Sequence, residues 1–238
     1  MGIGPGEYEQ MTIRAEKALK ESDVIIGYTV YVKLVEEHFP GKEFMTTPMT
    51  KEVERCRLAF EEADKGKTVS MICSGDAGVY GMAGLMYEVG VNYPEADLEI
   101  IPGVTAAVSG AAALGAPLVH DFCLISLSDL LTPWEKIEAR LKAAVAGDFA
   151  VSLYNPSSKR RKDYLKKAID IMLAEGKDPE TVCGIAENIG REGESCTVMT
   201  LAELKETPVD MFTTVFIGNS QTREINGKMV TPRGYKGV

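Results

Sequence analysis

Three short glycine-bearing segments in the first half of the chain have the residue types needed to hold a ligand against bare backbone. The first is Gly2-Ile3-Gly4-Pro5-Gly6, in which glycine permits sharp turns and close approach. It is not a dinucleotide fingerprint, because the third glycine falls at the wrong spacing and Pro5 removes an N–H donor. The second is Cys73-Ser74-Gly75-Asp76-Ala77-Gly78-Val79-Tyr80-Gly81. It follows an apolar run that reads as a buried strand, and the C-terminal ends of strands in open α/β sheets are where ligands bind. Asp76 then has two readings: a carboxylate holding a ligand hydroxyl or amine, or the N-cap of the next helix. The third segment, Ile101-Pro102-Gly103-Val104-Thr105-Ala106-Ala107, also follows a strand, and by itself its Thr105 reads as a simple N-cap.

The elements that must position these segments alternate between strand and helix. Strands are expected at residues 23–27, 68–73 and 98–101, with helices from Thr12 to about Lys20 and from Lys51 to Lys65. That alternation predicts an α/β sheet, largely parallel in this half. After Gly115-Ala116-Pro117 the character changes. Strands are expected at 122–126, 149–154, 181–186, 195–200 and 213–217, and helices at 133–146 and 161–175. Asn226-Gly227 between two short β-rich runs is a strong hairpin signal. The second half therefore reads as a mixed sheet, and two domains are expected, 1–114 and 115–238.

Composition narrows the classes. The chain has 238 residues, 45% hydrophobic and 26% charged, with a net charge of −9. That acidity argues against binding nucleic acid or an anionic membrane surface. The uncharged run from Ile100 to Val119 is rich in Ala, Gly and Pro, and reads as buried loop and helix rather than a membrane span. No secretory signal is visible at the start. The five cysteines form no C-x-x-C pair, so a zinc site and a disulfide framework are both poor readings and no metal is expected.

Taken together, in this order and spacing, the three segments resemble the tetrapyrrole methylase family: G-x-G-P-G near the start, a G-D loop after a strand, then P-G-x-T/S-A. The resemblance covers essentially the whole chain. It implies two α/β domains with S-adenosylmethionine held in a cleft between them. It places Pro5, Ser74, Gly75, Asp76, Val79, Thr105 and Ala106 around that cofactor, with Tyr154 and Asn188 as further contacts. The segments at 24–31, 119–122, 125–135 and 153–159 resemble the branch of the family that methylates C17 of a corrin precursor, precorrin-3B or cobalt-factor III, with ring contraction. The implied substrate is a cyclic tetrapyrrole, and a cytoplasmic homodimer is expected. Two departures stand out: only Met1-Gly2-Ile3 precedes the Pro5-Gly6 turn, so the first strand is expected to be stunted, and Ala77 follows Asp76 where relatives often carry proline.

Methyl transfer from a sulfonium requires positioning rather than a conspicuous acid or base. Ring contraction could use a proton donor or acceptor. Tyr28, His120 and Asp121 are candidates because they sit in the branch-specific segments; a hydrogen-bonded structural histidine is the plain alternative for His120. For the substrate, Ser128 is a candidate contact, and at least one of the cations Lys159, Arg160 and Arg161 is expected to face its carboxylates. The run Lys159-Arg160-Arg161-Lys162 is read as the first turn of the following helix, where the helix dipole disfavours cations by roughly 0.3–1 kcal/mol each. A solvated surface run is the alternative. Two other functions remain open at this stage: methylation of a different ring carbon, and a non-catalytic nucleotide-binding protein.

Overall fold

The computed structural model describes residues 1–158 and 161–237, which form two compact units, Met1–Ala106 and Ala107–Val238. The first unit carries a parallel three-stranded sheet in the order β2-β1-β3. Its strands are β1 (Val24–Tyr28), β2 (Glu43–Thr47) and β3 (Val69–Met71). Around them run helices α1 (Ile13–Glu21), α2 (Thr29–Val32), α3 (Glu52–Ala63) and α4 (Ala83–Gly90). The β1 run is apolar throughout because both faces of the sheet are covered. Ile25 packs with Ala15 and Leu19 of α1, whereas Val24 and Ile26 pack with Cys56, Ala59 and Phe60 of α3. Helix α1 starts where expected because the Thr12 hydroxyl accepts the Ala15 amide at 3.1 Å.

Residues 98–101, expected to be a strand, are not one. Among the described residues one ladder bond reaches them, from the Gly2 amide to the Ile101 carbonyl at 2.9 Å. Met1 to Gly4 lie between that segment and the residues after β3. Ile3 N–H donates to the Cys73 carbonyl and Cys73 N–H to the Met1 carbonyl, both at 3.0 Å. The Met1 ammonium is buried and donates to the Met71 carbonyl at 2.7 Å. Next to it a cavity of about 560 Å³ separates Val69–Met71 from residues 98–101. A strand needs ladder bonds along its length, and a single bond does not make one.

The second unit is built on a mixed sheet in the order β5-β6-β9-β7-β8. Its strands are β5 (Phe122–Ser126), β6 (Ala150–Tyr154), β7 (Val182–Glu187), β8 (Ser195–Thr200) and β9 (Thr213–Ile217). Helices α6 (Trp134–Ala146), α7 (Tyr164–Ala174) and α8 (Leu201–Glu206) cover one face, joining Ile137, Leu141, Ile169, Met172 and Leu204 to Val151, Leu153, Ile185 and Val215. Against Phe216 and Gly184, on the other face, lies α5 (Ala106–Leu114), close enough that a Cβ on Gly110 would sit 3.0 Å from the Phe216 ring. This packing places nearly all of α5 in the second unit, although a boundary after 114 was expected. The short β4 (Gly115–Ala116) pairs in parallel with β11 (Lys228–Val230), which pairs antiparallel with β10 (Arg223–Ile225). Asn226 and Gly227, at φ +52° and +73°, make the expected tight turn between β10 and β11. Among the described residues no helix is long and apolar enough to cross a membrane.

Candidate functional site

In the first unit the three glycine-bearing segments meet at the C-terminal edge of the parallel sheet. Gly4 pairs with Gly75 through two backbone bonds, N–H to carbonyl at 3.1 Å and 2.7 Å. The loops lie backbone to backbone. A Cβ on Gly103 would fall 2.2 Å from the Gly75 carbonyl oxygen, and one on Gly2 would fall 2.4 Å from the same atom. Gly75 itself has φ +70°, a conformation that favours glycine. Its own Cβ position is open by comparison, with Thr105 Cα nearest at 3.6 Å. Pro5, Ser74, Gly75, Asp76, Val79, Thr105 and Ala106 are thus brought to one place by backbone packing.

Asp76 is the tie. One carboxylate oxygen accepts the Gly78 and Val79 amides at 2.7 Å and 3.1 Å, and the other accepts the Gly103 amide at 2.9 Å. The N-cap reading of this residue is not the observed one. It does not cap α4, which begins at Ala83, and its three bonds go to main chain. It clamps the second segment to the third.

Tyr28 ends β1 on the same edge, since Tyr28 pairs with Thr47 and the sheet is parallel. It is half-buried, edge-on to Tyr31, with the Arg55 guanidinium 6.0 Å from its ring centre. Arg55 is buried and donates to the Thr47 hydroxyl at 2.8 Å and the Pro48 carbonyl at 3.1 Å. No feature of its spacing marked Arg55 in the sequence.

In the second unit, Ser126 of β5 pairs with Tyr154 of β6, and β7, parallel to β6 across β9, ends at the same edge just before Asn188. The Tyr154 hydroxyl accepts the Ala107 amide at 2.8 Å, satisfying one of the free N–H groups in the first turn of α5. Asn188 has φ +49° and turns the chain toward β8, with its side-chain amide 3.5 Å from the Gly193 carbonyl. Asn155, at φ +54°, donates to the Ser126 hydroxyl at 3.0 Å. Ser128 and Arg161 come together here, the guanidinium donating to the serine hydroxyl at 3.0 Å and to Asp129 at 3.1 Å.

Two expectations change. Arg161 is not in the first turn of a helix: α7 begins at Tyr164, and Arg161 instead forms an ion pair with Asp129, a residue the sequence reading left without a role. Lys159 and Arg160 lie outside the described residues. His120 and Asp121 are exposed and precede β5, at the end of the strand opposite Ser126 and Ser128. A five-residue strand spans about 16 Å, so the fold does not gather them with the Ser128 group. Their contact is with each other, Asp121 N–H donating to His120 Nδ1 at 2.8 Å.

The model of the tetrapyrrole (corrin/porphyrin) methylases matches residues 1–205. A probable cobalt-factor III C(17)-methyltransferase of Salmonella typhimurium is 46% identical over 237 residues, covering 99% of this chain and 98% of that protein. A cobalt-factor III methyltransferase of Priestia megaterium is 45% identical over 241 residues, and there this chain spans 44% of the relative's length. Among solved structures, the methyltransferase CobJ superposes with a TM-score of 0.89 at 36% identity, covering 97% of both chains.

Proposed function

Because the chain belongs to the tetrapyrrole methylase family, we propose that it is a C-methyltransferase of cobalamin biosynthesis that methylates C17 of cobalt-factor III or precorrin-3B, with contraction of the ring. The observation that carries this reading is near-complete coverage in both directions by a C17-methyltransferase relative at 46% identity. S-adenosylmethionine is the methyl donor; it supplies a sulfonium-activated methyl group that needs no further activation by the protein.

The cradle suits such a donor. A nucleoside is held well by main-chain donors and acceptors that cannot move away, and the close packing of Gly2, Gly75 and Gly103 keeps side chains from coming between. Asp76 contributes by fixing the Gly78, Val79 and Gly103 amides. Positioning of the acceptor carbon against the methyl group is the main catalytic device, worth roughly 7–11 kcal/mol when geometry is right. Of the three proton-transfer candidates, Tyr28 shares the edge that carries the cradle, so we assign any proton donation during ring contraction to its hydroxyl. Ser128 belongs to the substrate side in this reading. We read the working form as a cytoplasmic homodimer; the five unpaired cysteines support a reducing compartment.

The test is incubation with S-adenosylmethionine and either cobalt-factor III or precorrin-3B, with mass spectrometry and NMR of the product. One added methyl group at C17 is expected. A methyl group at another carbon moves the enzyme within the family, and absence of product with every cyclic tetrapyrrole rejects the substrate class.

A further inference from the structure

The loop from Leu127 to Pro133, which leaves β5 and enters α6, joins two features that seldom occur together. It is tied down at its base. Asp129 takes Arg161 on one carboxylate oxygen at 3.1 Å and the Tyr164 hydroxyl on the other at 2.6 Å, while Arg161 also holds Ser128. Tyr164 in turn meets Trp134 edge to face, with ring centres 4.7 Å apart, and Lys167 lies 5.1 Å from the Tyr164 ring centre. Yet the two residues beside this clamp point into solvent. Leu131 is 98% exposed and Leu130 is 70% exposed, while Leu127 just before them is fully buried. Two adjacent leucines held in water by an ion pair and a tyrosine form an apolar surface that the second unit does not use for its own packing.

The surroundings indicate the occupant. The loop starts at the C-terminal edge of β5 and β6, where Ser126, Tyr154 and Asn155 gather. A run of cations follows in the sequence, of which Arg161 is neutralised by Asp129 and Lys162 is exposed. Arg161, held on Ser128 and Asp129, sets a guanidinium with further N–H donors next to the leucine pair, and an apolar patch beside a guanidinium fits a ligand with a flat apolar face and a rim of carboxylates. We propose that Leu130 and Leu131 are the seat for the face of the cyclic tetrapyrrole, and that Asp129 is the positioning residue that holds this seat at the strand edge. The inference rests on the substrate class of the proposed function and adds residues to it.

The lone tryptophan, Trp134, lies three residues beyond Leu131 and provides the probe. Uroporphyrin, a polycarboxylate cyclic tetrapyrrole, quenches indole emission, so titrating it into the wild-type chain and into Leu130→Asn, Leu131→Asn and the double variant gives a Kd for each. Loss of one buried leucine should weaken binding about tenfold, and the double variant more. Because both side chains are exposed, the melting temperature should stay at the wild-type value, as should the affinity for S-adenosylhomocysteine. Unchanged Kd in all three variants, with wild type binding normally, overturns the seat and leaves the proposed function standing. The same unchanged Kd with a dimer turned into monomer in light scattering assigns the pair to an interface between copies and also overturns it. Failure of the wild-type chain to bind any cyclic tetrapyrrole overturns both readings.

Discussion

Appending four apolar β-branched residues ahead of Met1 should stabilise the first unit substantially. The cavity of about 560 Å³ beside the Met1 amino group is lined in part by Val69–Met71 and by residues 98–101, two extended segments that a four-residue strand could pair with. Four side chains buried there contribute about 2 kcal/mol each and four ladder hydrogen bonds about 1 kcal/mol each. Ordering each residue costs about 2 kcal/mol. The net is about 4 kcal/mol, a rise of roughly 8–16 °C in melting temperature for a chain of this size. A second signature is electrostatic. Burial holds the Met1 ammonium below its ordinary pKa, partly offset by Cys73 and Asp76. Between the lowered value and the ordinary one the unfolded chain binds the proton and the folded chain does not, so stability falls as pH drops through that window. The extension removes this buried amine, so the slope should vanish. The assay is thermal unfolding by circular dichroism from pH 6 to 9, with a Gly-Ser extension of equal length as control. Equal melting temperatures for the apolar and Gly-Ser extensions would refute the argument that the cavity is a strand slot.

Replacing Asp76 by Asn sets an amide against backbone N–H groups and should cost about 2–3 kcal/mol of stability; calorimetry should show weaker S-adenosylhomocysteine binding as well, whereas a side chain that only touches ligand would leave the melting temperature unchanged. Gly103→Ala puts a methyl group 2.2 Å from the Gly75 carbonyl oxygen, forcing the loops apart, and should abolish S-adenosylhomocysteine binding in the same titration. Tyr154→Phe leaves the Ala107 amide without its partner and should lower stability by about 1 kcal/mol in urea unfolding. Glu62 accepts from Lys65 and Lys67, which hold its carboxylate below the usual range. Its contribution is present above the ordinary carboxylate pKa and lost as pH falls through the lowered value, so Glu62→Gln should flatten the acid limb of the stability profile.

Much of this protein is legible locally. Short β-rich runs set β5, β8 and β9 at the residues expected, because β-branched and apolar side chains at strand length carry that signal locally. Thr12 and Asn226-Gly227 act through bonds and dihedrals within a few residues, so the start of α1 and the β10–β11 turn could be read directly. The glycines of the three segments fit their close packing for the same reason: a backbone that must come within contact distance of another backbone admits no side chain. What depended on distant partners was not legible. Residues 98–101 carry a strand pattern but lack a full-length neighbour, and pairing, not propensity, makes a strand. The role of Asp76 turned on where Gly103, 27 residues later, came to rest, and that of Arg161 on Asp129, 32 residues earlier. His120 and Ser128 are close in sequence, yet the extended strand between them carries one to each end of the sheet. Charge pairing and position along a strand are settled by which segments the fold brings side by side, and only the tertiary structure contains that information.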